Sequence, residues 1–178
     1  MPELPEVETI RLGIVQKLKG KEIKDVEVRV PKLFIGDKKD IIGAEIKDAH
    51  RVAKILEIVL DNGYSILIHL KMTGQLVYVP KGEKVVAVGG HFQGAYNQPL
   101  PHAHTHIIYS FTDGSHLYFN DLRKFGWDRV IKSNETNNIL GPDKFGPEPG
   151  SRDFTVEYLK SIFFKSAKPI KLVLMDQA

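Results

Sequence analysis

The stretch Val52-Ala53-Lys54-Ile55-Leu56-Glu57-Ile58-Val59-Leu60-Asp61-Asn62-Gly63-Tyr64-Ser65-Ile66-Leu67-Ile68-His69-Leu70 decides the fold class. Two short apolar runs flank Asp61-Asn62-Gly63, which has the composition of a hairpin turn, so the pattern predicts strands from Val52 to Leu60 and from Tyr64 to Leu70. Working outward, similar runs occur at Ile23 to Val30, Ala44 to Lys47, Gln75 to Val79, His106 to Phe111, Leu117 to Asn120 and Gly126 to Ile131, with Asp113-Gly114 as a second hairpin signal. No helical pattern intervenes, so the runs are expected to form antiparallel sheets, folded as a β-sandwich or flattened barrel. Between Lys81 and Ala103 the glycines 82, 89, 90 and 94 and the prolines 99 and 101 break the pattern, and a mobile loop is expected there.

Ahead of the strands, Val7, Ile10, Ile14, Val15 and Leu18 recur at helical spacing, with Pro5 suited to a first turn and Gly20 to a stop. An amphipathic helix therefore opens the chain, and the fold class is α+β, a helix packed on the sandwich. After the turn-rich stretch from Gly141 to Gly150, Tyr158, Leu159, Ile162 and Phe163 predict another helix, and Ile170 to Met175 begins a further element. That element runs to Gln177 without a cap, which reads as the start of a truncated helical domain. Two regions are expected: residues 1–150 as the sandwich domain and 151–178 as the opening of a helical one.

At 178 residues the chain is long enough for one substantial core. Its net charge of +3 permits nucleic-acid binding without demanding it. The absence of cysteine excludes a disulfide framework and any cysteine-based zinc site within these residues. The acidic start has no basic region followed by an apolar stretch, and no apolar run approaches a membrane span, so neither a targeting peptide nor a membrane partner is expected. A cytoplasmic monomer is the plain reading.

The first residues carry the chemistry. If Met1 is removed, Pro2 presents a secondary amine, and an α-amino group titrates near ~8 rather than near ~10 as lysine does. At the positive end of a helix dipole its protonated form is disfavoured, and Glu3 beside it can shuttle protons, which together make a usable nucleophile near neutral pH. Against this, Met-Pro occurs by chance, and first-turn glutamates complement the dipole without any catalytic role. Spacing alone favours that plainer alternative. Lys54 poses a similar choice, because strand alternation would set it on the apolar face of Val52, Leu56, Ile58 and Leu60, from which a lysine can simply reach out to solvent.

Pro-Glu-Leu-Pro-Glu-Val-Glu-Thr at positions 2–9 resembles the signature opening of the formamidopyrimidine-DNA glycosylase family. Arg51-Val52-Ala53-Lys54-Ile55-Leu56, Ile68-His69-Leu70-Lys71-Met72-Thr73-Gly74 and Asn120-Asp121-Leu122-Arg123-Lys124-Phe125-Gly126-Trp127 resemble further segments of it. The resemblance implies a bifunctional DNA glycosylase and abasic-site lyase of bacterial base-excision repair, excising 8-oxoguanine and formamidopyrimidines from damaged double-stranded DNA. It implies Pro2 as the nucleophile that forms a Schiff base with the sugar, leading to β,δ-elimination, Glu3 as the acid that protonates the sugar, and Glu6 as part of the lesion pocket. Lys54 and His69 would contact phosphate, Lys54 beside the reacting sugar. Met72 and Phe125 would wedge into the duplex and Arg123 would pair with the orphaned base, as base flipping requires. Without the resemblance, Met72 reads as core packing and His69 as a half-buried imidazole.

His102, His104 and His106 alternate, and on an extended strand they would share one face, a spacing open to a metal. The resemblance implies a hydrogen-bonding role instead, and no metal or cofactor is expected in these residues. The family's helix-two-turns-helix module and four-cysteine zinc finger would follow them. Two alternatives remain: an inactive or partner-dependent fragment that only binds damaged DNA, and an endonuclease VIII-like glycosylase for oxidised pyrimidines. Leu4 and Met72 weigh against the latter, whose members open with glycine at the place of Leu4.

Overall fold

Helix α1 spans Leu4–Leu18, and its residues Val7, Ile10, Ile14 and Leu18 fall on one stripe and are all buried. Glu3 is its N-cap, and the Glu6 side chain reaches back, Oε2 accepting the Glu3 N–H at 2.9 Å. That bond satisfies a backbone donor the first turn would otherwise leave open. The computed structural model describes residues 2–83, 86–90, 98–141 and 144–175. Met1, residues 84–85 and 91–97 of the expected loop with its Gly94, residues 142–143 of the turn-rich stretch, and residues 176–178 lie outside the described residues.

Among the described residues ten strands follow: β1 Ile23–Val28, β2 Phe34–Ile35, β3 Ile46–Val52, β4 Ile55–Leu60, β5 Tyr64–His69, β6 Gly74–Val79, β7 Val86–Gly90, β8 Thr105–Phe111, β9 His116–Asp121 and β10 Trp127–Lys132. They form two five-stranded sheets, ordered β1-β8-β9-β6-β7 and β2-β10-β5-β4-β3. Among the described residues every strand pairing is antiparallel except that of β2 with β10, so the second sheet is mixed at that edge. One continuous core joins the sheets, with Leu56, Ile58, Ile66, Ile68 and Val130 from one and Leu76, Ile107, Tyr109, Phe111 and Phe119 from the other. Helix α1 packs on β7 and on β3, the edge strands of the two sheets, and so seals one open side of the sandwich. The α+β sandwich behind a helix is the fold expected from the sequence, and the predicted turns at residues 61–63 and 113–114 do join β4 to β5 and β8 to β9.

Three expectations need correction. The run from Val52 to Leu60 is not one strand: Val52 pairs with Ile55 across a turn formed by Ala53 and Lys54, with Ala53 at φ 48°. Lys54 therefore sits in a hairpin turn and not on an apolar strand face. The stretch expected to be a loop contains β7, paired with β6. Its glycine reflects close packing: a Cβ on Gly89, which has φ +134°, would lie 2.6 Å from Ile10 Cγ1 of α1. Finally, of the three alternating histidines only His106 lies within β8, while His102 and His104 precede it.

Contacts divide the chain into two compact units, Met1–Asn134 and Glu135–Ala178, ahead of the boundary at residue 150 expected from the turn signals. The second unit holds short helices α2 Asn137–Leu140, α3 Val156–Phe163 and α4 Ile170–Met175. Thr155 caps α3, its side chain accepting the Tyr158 N–H at 3.1 Å. Among the described residues no helix is long and apolar enough to cross a membrane.

Candidate active site

The β3–β4 turn carries Lys54 to the N-terminus of α1, where its Nζ lies 2.6 Å from Glu3 Oε2. Pro2 is the residue immediately before Glu3, so its nitrogen stands at the positive end of the helix dipole. The turn is braced from behind. Arg51 Nη1 donates to the Ala53 carbonyl at 2.8 Å, and Arg51 Nε to Glu8 Oε2 at 3.0 Å. Glu8 also accepts from Arg11, whose Nη1 reaches the Ala49 carbonyl on β3 at 3.2 Å. The Arg11 hydrogen bond, with Arg51 behind it, holds the Glu8 carboxyl below the usual carboxylate range against the opposing effect of burial. Helix and turn are thus pinned together through Glu8, Arg11 and Arg51.

His69 closes β5, in register with Ile55 on one side and Trp127 on the other. Ile55 directly follows Lys54, so the imidazole borders the same turn. Burial, with the nearby Lys71 and Lys54 charges, lowers its pKa to about 4, and the ring is neutral near pH 7. Nδ1 accepts the Lys71 N–H at 3.0 Å, which leaves Nε2 to carry the proton and act as a donor.

Beyond His69 two loops converge. Met72, on the turn from β5 to β6, is 42% exposed, and Phe125, on the loop from β9 to β10, is 53% exposed. Met72 is therefore not core, as an isolated methionine would be expected to be. Arg123 joins them: its Nη1 donates to Met72 Sδ at 3.0 Å, and its guanidinium carbon lies 4.8 Å from the centre of the Phe125 ring. A cation and two apolar side chains thus project as one exposed cluster. Of the residues singled out from the sequence, the structure gathers Pro2, Glu3, Glu6 and Lys54 at one point and Met72, Arg123 and Phe125 at a second, with His69 bordering both loops. A Cβ on Gly126 would lie 3.0 Å from the His69 carbonyl oxygen, so the second loop rests directly on His69.

The chain matches the model of the formamidopyrimidine-DNA glycosylase N-terminal domain over residues 1–127. It belongs to that family. Formamidopyrimidine-DNA glycosylase of Lactiplantibacillus plantarum is 36% identical over 182 residues, covering 100% of this chain and 61% of the relative. That of Shouchella clausii is 37% identical over 185 residues, covering 99% and 60%. Among solved structures, Lactococcus lactis Fpg bound to abasic-site DNA superposes with a TM-score of 0.83 at 27% identity, covering 99% of this chain and 61% of that one. The same enzyme with an N7-benzyl-Fapy-dG-containing DNA gives 0.82. The chain thus spans about three-fifths of the length of these family members.

These residues include no cysteine, so any metal ligands among them would have to be histidines or carboxylates. The alternating histidines are engaged in hydrogen bonds. His106 Nε2 bonds the Asp121 carbonyl at 2.7 Å, His102 Nδ1 accepts the His104 N–H at 3.1 Å, and among the described residues no three His, Cys, Asp or Glu side chains gather as ligands would. Sequence reasoning passed over Arg51, Glu8 and Asp121. Each stood inside a quoted motif, and only the tertiary bonds distinguish them.

Proposed function

We propose that this chain is the catalytic part of a bifunctional DNA glycosylase and abasic-site lyase of base-excision repair, acting on 8-oxoguanine and formamidopyrimidines in double-stranded DNA. The observation that carries the reading is the approach of Lys54 to Glu3 at the helix start, one residue from Pro2. Once Met1 is removed, the Pro2 amine attacks the anomeric carbon, the glycosidic bond breaks with its electrons going to the base, and Glu3 protonates the opening sugar. The resulting Schiff base drives β,δ-elimination of the strand. Lys54, a compact cation beside Glu3, suits a phosphate next to the reacting sugar, and the His69 Nε2–H suits a second. Attack requires the nucleotide to leave the stack, and the exposed Met72, Arg123 and Phe125 are of the types that fill such a gap. Glu6, bonded to the Glu3 backbone, shapes the pocket edge.

On this reading residues 1–150 supply the chemistry, residues 151–178 belong to the helical module that follows it in the family, and the protein works as a cytoplasmic monomer. A second reading draws on the Lactococcus lactis Fpg solved with an oxidised-pyrimidine-containing DNA, which extends the lesion range to pyrimidines. Borohydride trapping on duplexes carrying 8-oxoguanine opposite cytosine, an oxidised pyrimidine, or an abasic site tests both. Covalent product on the first and third supports the purine enzyme, and product on the second supports the wider range. Trapping on the abasic site alone makes Pro2 competent but assigns lesion recognition to a region outside this chain. No trapping on any duplex overturns the reading in favour of a binding fragment.

A further inference from the structure

We infer that Asp121 is a positioning residue on whose buried carboxylate the Arg123–Phe125 loop is folded and by which that loop is locked to the Met72 turn. The inference rests on the proposed function for what the loop does, but its geometry stands alone. Asp121 is the last residue of β9, fully buried and in register with Gly74, the residue just after the Met72-Thr73 turn. Its Oδ2 accepts the N–H groups of Phe125 at 2.8 Å and Gly126 at 2.7 Å. Its Oδ1 accepts the Arg123 N–H at 3.1 Å and the hydroxyl of Thr73. The Thr73 hydroxyl oxygen in turn accepts from the same Arg123 N–H at 3.1 Å.

Three backbone donors within four residues therefore turn inward onto one carboxylate. The curl passes through Lys124, which holds φ +56° to let the amides on either side face the same anion. Such a carboxylate, out of water, is tolerable only because its lone pairs are filled by donors. Loop and anion thus depend on each other. Bringing Thr73 into the same set couples the turn that carries Met72 to the loop that carries Arg123 and Phe125, so three exposed side chains are presented together before any DNA arrives. A preorganised wedge loses less conformational freedom on insertion than a loop that must first be ordered.

Asp121→Asn keeps the size of the side chain but replaces one acceptor oxygen with an amide NH2 donor facing N–H donors. In the 178-residue chain without DNA, amide hydrogen exchange at Arg123, Phe125 and Gly126 should accelerate by about tenfold or more, while Ile66, Ile68 and Phe119 in the core strands keep their rates. Thr73→Val, which removes only the hydroxyl, should accelerate Arg123 and spare Phe125 and Gly126, and it serves if Asp121→Asn does not fold. On DNA, Asp121→Asn should reduce trapping at 8-oxoguanine far more than at a pre-formed abasic site. Unchanged exchange at the three amides, or acceleration spread evenly through the core, would overturn the anchoring. Selective acceleration together with equal trapping losses on both duplexes would overturn the positioning role. If the parent chain traps on no duplex, the functional reading fails while the exchange pattern still decides whether Asp121 organises the loop.

Discussion

Lys54 Nζ and Glu3 Oε2, fifty-one positions apart in sequence, lie 2.6 Å from each other at the start of helix α1. Glu3 is 58% exposed and Lys54 only 14%, and a pair with one solvated partner contributes about 0–1 kcal/mol to folding. Lys54→Ala should therefore lower the melting temperature little while reducing trapping on abasic DNA by about tenfold or more, the scale of one lost charge-assisted contact. Calorimetry and trapping on the same sample check this. A large drop in melting temperature with trapping unchanged would make the pair a structural one.

Pro2→Gly and Glu3→Gln should each abolish base release with the fold intact, since Glu3 is exposed and Pro2, though buried, stands outside the apolar core cluster. Phe125→Ala should change stability by no more than about 0.5 kcal/mol, because the ring is largely exposed. It should slow release at 8-oxoguanine and leave cleavage of a pre-formed abasic site less affected. Single-turnover rates on the two substrates separate the roles, and equal losses on both would count against the wedge.

Two buried groups bend the stability profile in opposite directions. His69, held at about 4 by burial and then by Lys71 and Lys54, refuses a proton that the unfolded chain takes up near its ordinary 6.5, so it weakens the fold as pH falls through that interval. His102 and His106, depressed mainly by burial, act the same way. Asp128 is pushed up to about 7 by burial, with the Tyr109 hydrogen bond at 2.6 Å opposing, against 3.8 in the open chain. It keeps a proton the unfolded chain has released, so its contribution falls as pH rises between those values. Urea unfolding from pH 4.5 to 7 should show stability declining toward acid, more gently in His69→Asn and more steeply in Asp128→Asn.

Gly89→Ala should cost about 1–3 kcal/mol, since its Cβ would meet Ile10 Cγ1 at 2.6 Å on a backbone at φ +134°. Because Ile10 belongs to the helix that begins beside Pro2, trapping on abasic DNA should fall as well. The urea midpoint measures the first effect, and trapping well below the midpoint measures the second. A stable variant with full trapping would show that α1 can move without disturbing the site.

Helix α1 was legible because its buried positions repeat at helical spacing, and the β4–β5 and β8–β9 hairpins because Asp-Asn-Gly and Asp-Gly announce their turns locally. The Ala53-Lys54 turn announces nothing. It holds no glycine, proline, asparagine or aspartate, and its neighbours continue an apolar run, so pattern alone extends the strand through it. Strand β7 was hidden for the opposite reason: its glycines look like loop residues, yet at Gly89 glycine leaves room for Ile10.

The sequence by itself determined the class of fold, the family and the residue types available for chemistry, since periodicity, turn composition and the motif at positions 2–9 are all local properties of the chain. Tertiary structure alone decided that Lys54 meets Glu3, that Met72, Arg123 and Phe125 form one cluster, and that Asp121 gathers its donors from two separate loops. Those relations depend on sheet register and on the packing of α1 across two sheet edges. Hydrogen bonds and ion pairs act over about 3 Å in space whatever the separation along the chain, so no local pattern encodes them.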